Sequence, residues 1–414
     1  MKITLYGVSH LVLSILAIVY GIALRNIFLY SIGLALILIF YKEYKSFNRI
    51  RNTASNLLVK RYFDKTIASE LDEVAVTITI ENKGSDAISR ALIIDKVSRY
   101  VKPKADPITT ISIPPNASIS ISYRAVLMAP GTHVFNEIVV IVSDFLGYFT
   151  EELRYSVREH VVALPLELRV GLDMKSIQKV IGVYVSGKAI GGLFNIANVR
   201  DYQPGDSVKK IIWSIYAKTG RLMIREDFGE SRARVLLLID LRPSFWFIGV
   251  EPNTLAHIHL RFARSLVSLL LKSGVAVDVA ICSGLVPKII TYSGSDIEKI
   301  VYRIFSLFDA GSGCESSISA FADISSYIER DASQYSLVLL VTNPIALSLT
   351  SPDDIAEIGK IFDRLLIAMP MFRYEEYINR DDIVKLLNGV ANVLKGSLID
   401  IDFAEESFEV SYGV

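Results

Sequence analysis

Two cysteines in 414 residues, Cys282 and Cys314, are too few for a disulfide framework or a cysteine-based zinc site, and their scarcity fits a reducing compartment. Net charge is missing as well. Lys plus Arg total 44 and Asp plus Glu total 44, so the chain has neither the basic field that nucleic acid calls for nor an acidic tail. No nucleic-acid partner is expected. Catalytic constellations are also lacking, because no Ser-His-Asp or Cys-His arrangement emerges from the residue pattern. His257 and His259 stand two apart on a predicted helix, point to different faces and cannot share a metal. The chain is therefore read as non-enzymatic, with no cofactor and no catalytic residue.

What is abundant is apolar: 51% of residues are hydrophobic and the mean hydropathy is +0.40. The excess concentrates at the N-terminus, where residues 5–24 carry no charge and, after Arg25-Asn26, residues 27–41 carry none either. About twenty apolar residues cross a bilayer, so the first run is long enough and the second is short. No small-x-small cleavage site stands near Ala23 and a second apolar segment follows at once, which favours a transmembrane hairpin over residues 1–45 rather than a signal peptide. From Lys42 to Arg61 the bases Lys42, Lys45, Arg49, Arg51, Lys60 and Arg61 face Glu43 alone, so residues 46–66 read as a basic linker held on the cytoplasmic side. The bulk of the chain would follow it there, touching membrane lipid only through the hairpin.

Residues 67–162 switch to short alternating runs, at 74–80, 91–95, 119–123 and 137–142, separated by turn signals at Asn82-Lys-Gly84, Pro114-Pro-Asn116 and Pro130-Gly131. That rhythm predicts an immunoglobulin-like β-sandwich. Asn116-Ala-Ser118 is a formal glycosylation sequon without meaning in the cytoplasm. Across residues 233–414, continuous apolar runs at 234–239, 276–282, 336–341 and 365–369 alternate with helical patterns at 254–272, 295–308, 316–330 and 354–364. Such alternation gives an α/β doubly wound, mostly parallel sheet with ligands expected at the carboxyl ends of its strands. Residues 397–412 read as an edge strand or hairpin.

Between these parts, residues 163–232 hold the most distinctive stretch. Pro204-Gly205 makes a turn, and Asp206 is placed to cap a helix over 207–219 on which Val208, Ile211, Ile212, Ile215 and Tyr216 recur at helical spacing. Gly220 supplies the left-handed stop, and a strand is expected over 221–227. A helix this short is marginal in water, so Trp213 is expected to be buried against the adjoining domain.

The run Arg200-Asp201-Tyr202-Gln-Pro204-Gly205-Asp206, followed by Trp213, Ala217-Lys218, Gly220, Leu222 and Arg225-Glu226, resembles the signature of the domain of unknown function 58 family. Members of that family are often encoded beside MoxR-type AAA+ ATPases and carry a von Willebrand A-like domain. The resemblance implies such a domain at the C-terminus and a MoxR-type AAA+ ATPase among the protein partners. It makes Arg200, Asp201, Tyr202, Pro204, Gly205, Asp206, Trp213, Lys218, Arg225 and Glu226 a partner-binding surface or a structural salt-bridge network.

In metal-binding von Willebrand A domains the first strand ends in Asp-x-Ser-x-Ser, whose oxygens hold a divalent cation. The corresponding residues here are Asp240, Arg242 and Ser244, with Gly311-Ser-Gly-Cys-Glu315 and Val341-Thr-Asn343 standing where further ligands would be. Arg242 replaces a hydroxyl by a cation that can pair bidentately with Asp240, so an ion pair without a metal is expected. A metal-dependent ligand-binding module is the rival reading. A hydrolase or nucleotide enzyme rests only on Gly182 to Ala189, which nearly spells a phosphate-binding loop but has Ala189 where a hydroxyl is needed.

The basic excess generates a topological prediction. A reporter fused after Val414 should be active only in the cytoplasm; digestion of the C-terminal region by protease added to intact cells would contradict it.

Overall fold

The computed structural model describes residues 1–167, 169–170, 196–203, 211–227, 234–272, 275–283, 286–290, 297–321, 335, 337–361, 365–370, 372–386, 399–404 and 407–412. Two compact units divide the chain. The first comprises Met1–Leu166, Pro243–His257 and Tyr302–Ser312, and the second Glu167–Arg242, Ile258–Val301 and Gly313–Val414.

The first unit begins with helices α1, Leu5–Ala23, and α2, Ile27–Ala54, both long and apolar enough to cross a membrane. They fold back on each other at Arg25-Asn26. Arg25 takes a positive φ of 52°, and the Asn26 side chain caps α2 by accepting from the Phe28 and Leu29 N–H groups. Small residues let the helices approach. A Cβ on Gly21 would meet the Tyr30 backbone at 2.5 Å, and one on Gly33 would meet Ile18 at 2.6 Å and the Ser14 carbonyl at 2.9 Å.

Helix α2 runs well past its apolar stretch, and Phe47, Ile50 and Ala54 enter the core beyond it. Residues 46–66 are thus the end of this helix and the strand Leu58–Phe63, not a free linker. The core they join lies between two sheets that are antiparallel except where Ile67–Ser69 pairs in parallel with Phe149–Leu164. One orders Lys2–Ile3, Phe149–Leu164, Gly131–Ser143, Ile88–Lys96 and Ile108–Ile113; the other orders Leu58–Phe63, Glu73–Asn82, Ala117–Leu127 and Val101–Pro103. Alternation makes this work, since Val74, Val76, Ile78 and Ile80 on one strand all point inward while the residues between them do not. Pro243–His257 and Tyr302–Ser312 join this unit through Trp246, whose Nε1–H donates to the Ser312 carbonyl at 2.8 Å and whose ring lies 5.3 Å from that of Tyr100.

Arg61 corrects its expected role. Rather than a membrane-facing charge, it is a buried guanidinium in this unit's core, paired with Asp95. Its five N–H donors are all used: Nε and Nη2 reach the Asp95 carboxylate, Nη1 reaches the Phe135 and Val157 carbonyls at 3.0 and 2.7 Å, and Nη2 also reaches the Glu137 carbonyl at 3.3 Å. Val157 stands where the register of its strand shifts, between Ser156 and Glu159, which frees its carbonyl from the ladder for this bond. Tyr123 completes the cluster by donating to Asp95 Oδ2 at 2.6 Å, and burial, then the Asp95 charge, push its phenol well above the usual range.

The second unit is built on an eight-stranded sheet in the order Arg169–Val170, Ser407–Tyr412, Ile399–Ala404, Leu365–Pro370, Leu337–Val341, Arg234–Ile239, Ala276–Ser283 and Val286–Ile290. Pairing is parallel from Ile399–Ala404 through to Ala276–Ser283. The central strand Arg234–Ile239 is followed in sequence by its neighbour on one side and later by its neighbour on the other, so the strand order reverses at its carboxyl end. Helices Leu255–Lys272, Ile297–Phe305 and Pro352–Ile361 lie between the strands in sequence, close to the expected ranges. Within the stretch expected to be an edge strand or hairpin, strands Ile399–Ala404 and Ser407–Tyr412 pair antiparallel.

Removing one partner of a buried pair leaves an uncompensated charge, a loss of about 3–5 kcal/mol. Arg61→Ala should lower the unfolding free energy of the full-length protein in detergent by that amount in a urea titration; a loss below about 1 kcal/mol would show that Asp95 finds other partners.

Candidate functional site

The reversal of strand order puts Asp240 at the carboxyl end of the central strand with Thr342 beside it, their backbones joined through Asp240 N–H to the Val341 carbonyl at 2.9 Å. Asp240 is fully buried, and its carboxylate accepts three hydrogen bonds from this chain's own donors. Oδ1 accepts from Ser317 Oγ and from Arg242 Nε at 3.2 Å; Oδ2 accepts from Thr342 Oγ1 at 2.7 Å. The expected ion pair is present in a different form. It is single-contact rather than bidentate, because Arg242 Nη2 is turned to Thr350 Oγ1 at 2.8 Å and the Ala346 carbonyl at 3.3 Å.

Local sequence explains each partner's position. Gly313 allows the chain to pass the strand end, where a Cβ would meet the Leu241 carbonyl at 2.6 Å, and Cys314 N–H then donates to that carbonyl at 2.9 Å. Ser317 follows and is buried. On the other side Asn343 caps the short helix Pro344–Ser348 by accepting from the Ala346 N–H at 2.9 Å, with Pro344 at its first position. That helix presents the carbonyl that Arg242 reaches.

His259 belongs to this cluster, where helical position alone gave it no role. Every residue of its helix from Leu255 to Ala263 is buried, so helical period alone does not single out position 259. Its Nδ1 lies 3.2 Å from the Asp240 carbonyl, an acceptor only, so the proton is on Nδ1 and Nε2 is free to accept from Asn343 Nδ2 at 3.4 Å. Burial pushes its pKa down to about 4, against the opposing pull of the Asp240 charge. His257 belongs to the first unit, bonded to Thr254 Oγ1 at 2.6 Å and the Met128 carbonyl at 2.9 Å.

This donor set does not fit a divalent cation. Arg242 Nε, 3.2 Å from Asp240 Oδ1, sets a fixed positive charge where a divalent cation would bind and be repelled. Ser244, the third expected position, is exposed on the 3-10 turn Pro243–Phe247. Among the described residues no group of three or more His, Cys, Asp or Glu could hold a metal.

A second correction concerns the cysteines. Cys282, at the end of strand Ala276–Ser283, and Cys314 are joined in a disulfide with Cα atoms 5.6 Å apart. Their separation of 32 residues hides a proximity that the parallel sheet creates at its carboxyl edge.

In the signature region, strands Ile196–Asp201 and Met223–Asp227 form a two-stranded antiparallel ribbon. It brings Arg200 opposite Ile224, Asp201 opposite Met223, Arg225 opposite Val199 and Glu226 opposite Asn198. Tyr202 N–H continues the ribbon by donating to the Leu222 carbonyl at 2.9 Å. Pro204, Gly205 and Asp206, with the predicted cap, lie outside the described residues, as does the 182–189 stretch. The described helix, Trp213–Thr219, starts later than expected because Ile211 bridges to Ile224 and Ile212 N–H donates to the Met223 carbonyl at 2.9 Å. Gly220 closes it in the left-handed conformation at φ 69°. Lys218 is exposed in its last turn.

Trp213 is not a core residue. It is 57% exposed and stands edge-on to the exposed ring of Tyr216, centroids 6.1 Å apart, with Leu222 also exposed. The helix is held by its backbone bonds to the ribbon and by the buried Ile224, so its tryptophan is free to face outward.

Residues 198–351 match the model of the family described as protein of unknown function DUF58. A curated relative, the uncharacterized protein YeaD of Bacillus subtilis (strain 168), is 25% identical over 205 residues, covering 48% of this chain and 51% of its own. The chain thus spans about half the length of that relative. Among solved structures, the cupredoxin domain of amoB from Nitrosocaldus yellowstonii is 11% identical, covers 26% of this chain and 86% of its own, and has a TM-score of 0.19. A CARDB domain from Pyrococcus furiosus, solved with two metal ions, is 12% identical, covers 25% and 92%, and has a TM-score of 0.17. Neither likeness is close enough to carry an argument.

Two buried imidazoles set a pH dependence. His133 and His259 are both pushed down by burial to about 4, so the unfolded chain takes up their protons first as pH falls. Their stabilisation is complete above the ordinary value near 6.5 and is lost as pH falls from there towards 4. His259→Gln should flatten the stability profile in that window by about 1.4 kcal/mol per pH unit. An unchanged slope would show that His259 stays charged when folded.

Proposed function

We propose that this protein is a membrane-anchored, non-enzymatic protein-interaction module: a transmembrane hairpin, an immunoglobulin-like sandwich, the signature ribbon and a von Willebrand A-like domain that docks another protein without a metal. The observation that carries the reading is the exposed aromatic pair Trp213 and Tyr216, flanked by exposed Leu222. Large exposed aromatics on a short, backbone-held helix contribute little to a core and are the side chains that most often dominate protein–protein binding energy. The Asp240–Arg242 ion pair supports the metal-free part, since the guanidinium already supplies the positive charge that an ion would bring. The family resemblance supplies the partner class, a MoxR-type AAA+ ATPase with which the protein would assemble or activate a complex.

Affinity capture of the full-length protein from membranes tests this. An AAA+ ATPase should be recovered equally with and without EDTA, and Trp213→Ala should cut the recovery about tenfold, the effect of losing about 1.4 kcal/mol of binding energy, while leaving the melting temperature unchanged. Capture that EDTA abolishes and Trp213→Ala spares would overturn the reading.

A further inference from the structure

We propose that the turn Asp144-Phe145-Leu146-Gly147 inserts Phe145 and Leu146 into the bilayer interface as a third membrane contact beside the two helices. The inference rests on the membrane-anchored reading above. Phe145 is 77% exposed at the tip of the turn between strands Gly131–Ser143 and Phe149–Leu164, and Leu146 next to it is also exposed. The turn is rigid. Gly147 N–H closes it on the Asp144 carbonyl at 3.2 Å, Gly147 adopts φ 74°, and the buried Asp144 carboxylate accepts from Phe149 N–H at 2.7 Å. An exposed phenylalanine on so fixed a turn gains nothing for the fold.

Its place relative to the hairpin is set by both helices. Thr4, the cap of α1, donates through Oγ1 to the Gly147 carbonyl at 2.7 Å and through its N–H to the Tyr148 carbonyl at 2.9 Å. From α2, the Phe40 and Tyr44 rings lie 5.1 Å and 5.7 Å from that of Phe149, which follows the turn. Phe145 is two residues from Gly147, a reach of at most about 7 Å of chain, so it lies at the level where α1 begins. That level is an interface by composition: exposed Tyr6, Tyr41 and Tyr44 form an aromatic belt around it, and the 19 residues of α1 beyond it span roughly 28 Å, close to one hydrocarbon thickness.

Lipid is favoured over a protein occupant by position. The turn stands beside the exposed Tyr6, Tyr41 and Tyr44 at the start of the apolar hairpin, and two apolar side chains on it suit insertion of about 5–10 Å at the headgroup boundary.

The test uses the full-length protein in nanodiscs of phosphatidylcholine and phosphatidylglycerol, spin-labelled at single introduced cysteines. Cys282 and Cys314 are buried in their disulfide and do not take label. The positions are Phe145→Cys, Leu16→Cys on the lipid-exposed face of α1, and Lys83→Cys on an exposed turn whose Gly84 packs on Thr53 near the far end of α2. The ratio of collision with oxygen to collision with a water-soluble nickel complex should be several-fold higher at 145 than at 83, and highest at 16. A lipid-like ratio at 16 with a water-like ratio at 145 would overturn the turn insertion alone. A water-like ratio at 16 would overturn the hairpin and this inference with it. Shielding of 145 from both reagents would mean that protein, not lipid, covers it.

Discussion

The second unit depends on one buried carboxylate. Asp240 sits where the strand order of a parallel sheet reverses, the place at which such sheets open a crevice, and a lone anion there would be intolerable without compensation. Compensation comes from three segments far apart in sequence: Arg242 just beyond the strand, Ser317 after the Gly313 passage, and Thr342 on the adjacent strand end. Each is held by its own local device, a glycine without which the Leu241 carbonyl would clash, an asparagine cap, or a helix carbonyl offered to the guanidinium. A neutral His259 beside Asp240 adds a hydrogen bond without adding a charge.

The first unit solves the same problem differently. Arg61 is a cation buried among β-strands, and it survives there because one strand breaks register and releases a backbone carbonyl to it, while Asp95 and two further carbonyls take the remaining donors. The bulge and the charge explain each other. Below this cluster, α2 contributes Phe47, Ile50 and Ala54 to the core, so the apolar hairpin and the sheets form one unit rather than an anchor and a tethered domain.

Much of this was legible in the sequence wherever burial imposes a simple period. The strand at Arg234–Ile239 and the helices at Leu255–Lys272 and Pro352–Ile361 follow from apolar runs and three-to-four spacing, and the alternation around Val74 to Ile80 announces a sheet with one buried face. Residues whose role depends on long-range proximity were not legible. Arg61 counts as a basic residue after the hairpin until the strand pairing puts it beside Asp95. The Cys282–Cys314 bond links residues 32 apart that only the sheet makes neighbours, and Ser317 is one serine among several until Gly313 places it. Trp213 failed for the opposite reason. Short helices generally need tertiary packing, but backbone bonds to the ribbon met that need and left the indole outside.

Asp240, paired with Arg242 and bonded to Ser317 and Thr342, is proposed to need no ion. Thermal melting of the full-length protein in detergent, with millimolar manganese or magnesium against EDTA, tests it most directly. The melting temperature is expected to be the same in all three conditions. A gain of several degrees with manganese, lost in Asp240→Ala, would contradict it and establish Asp240 as a metal ligand.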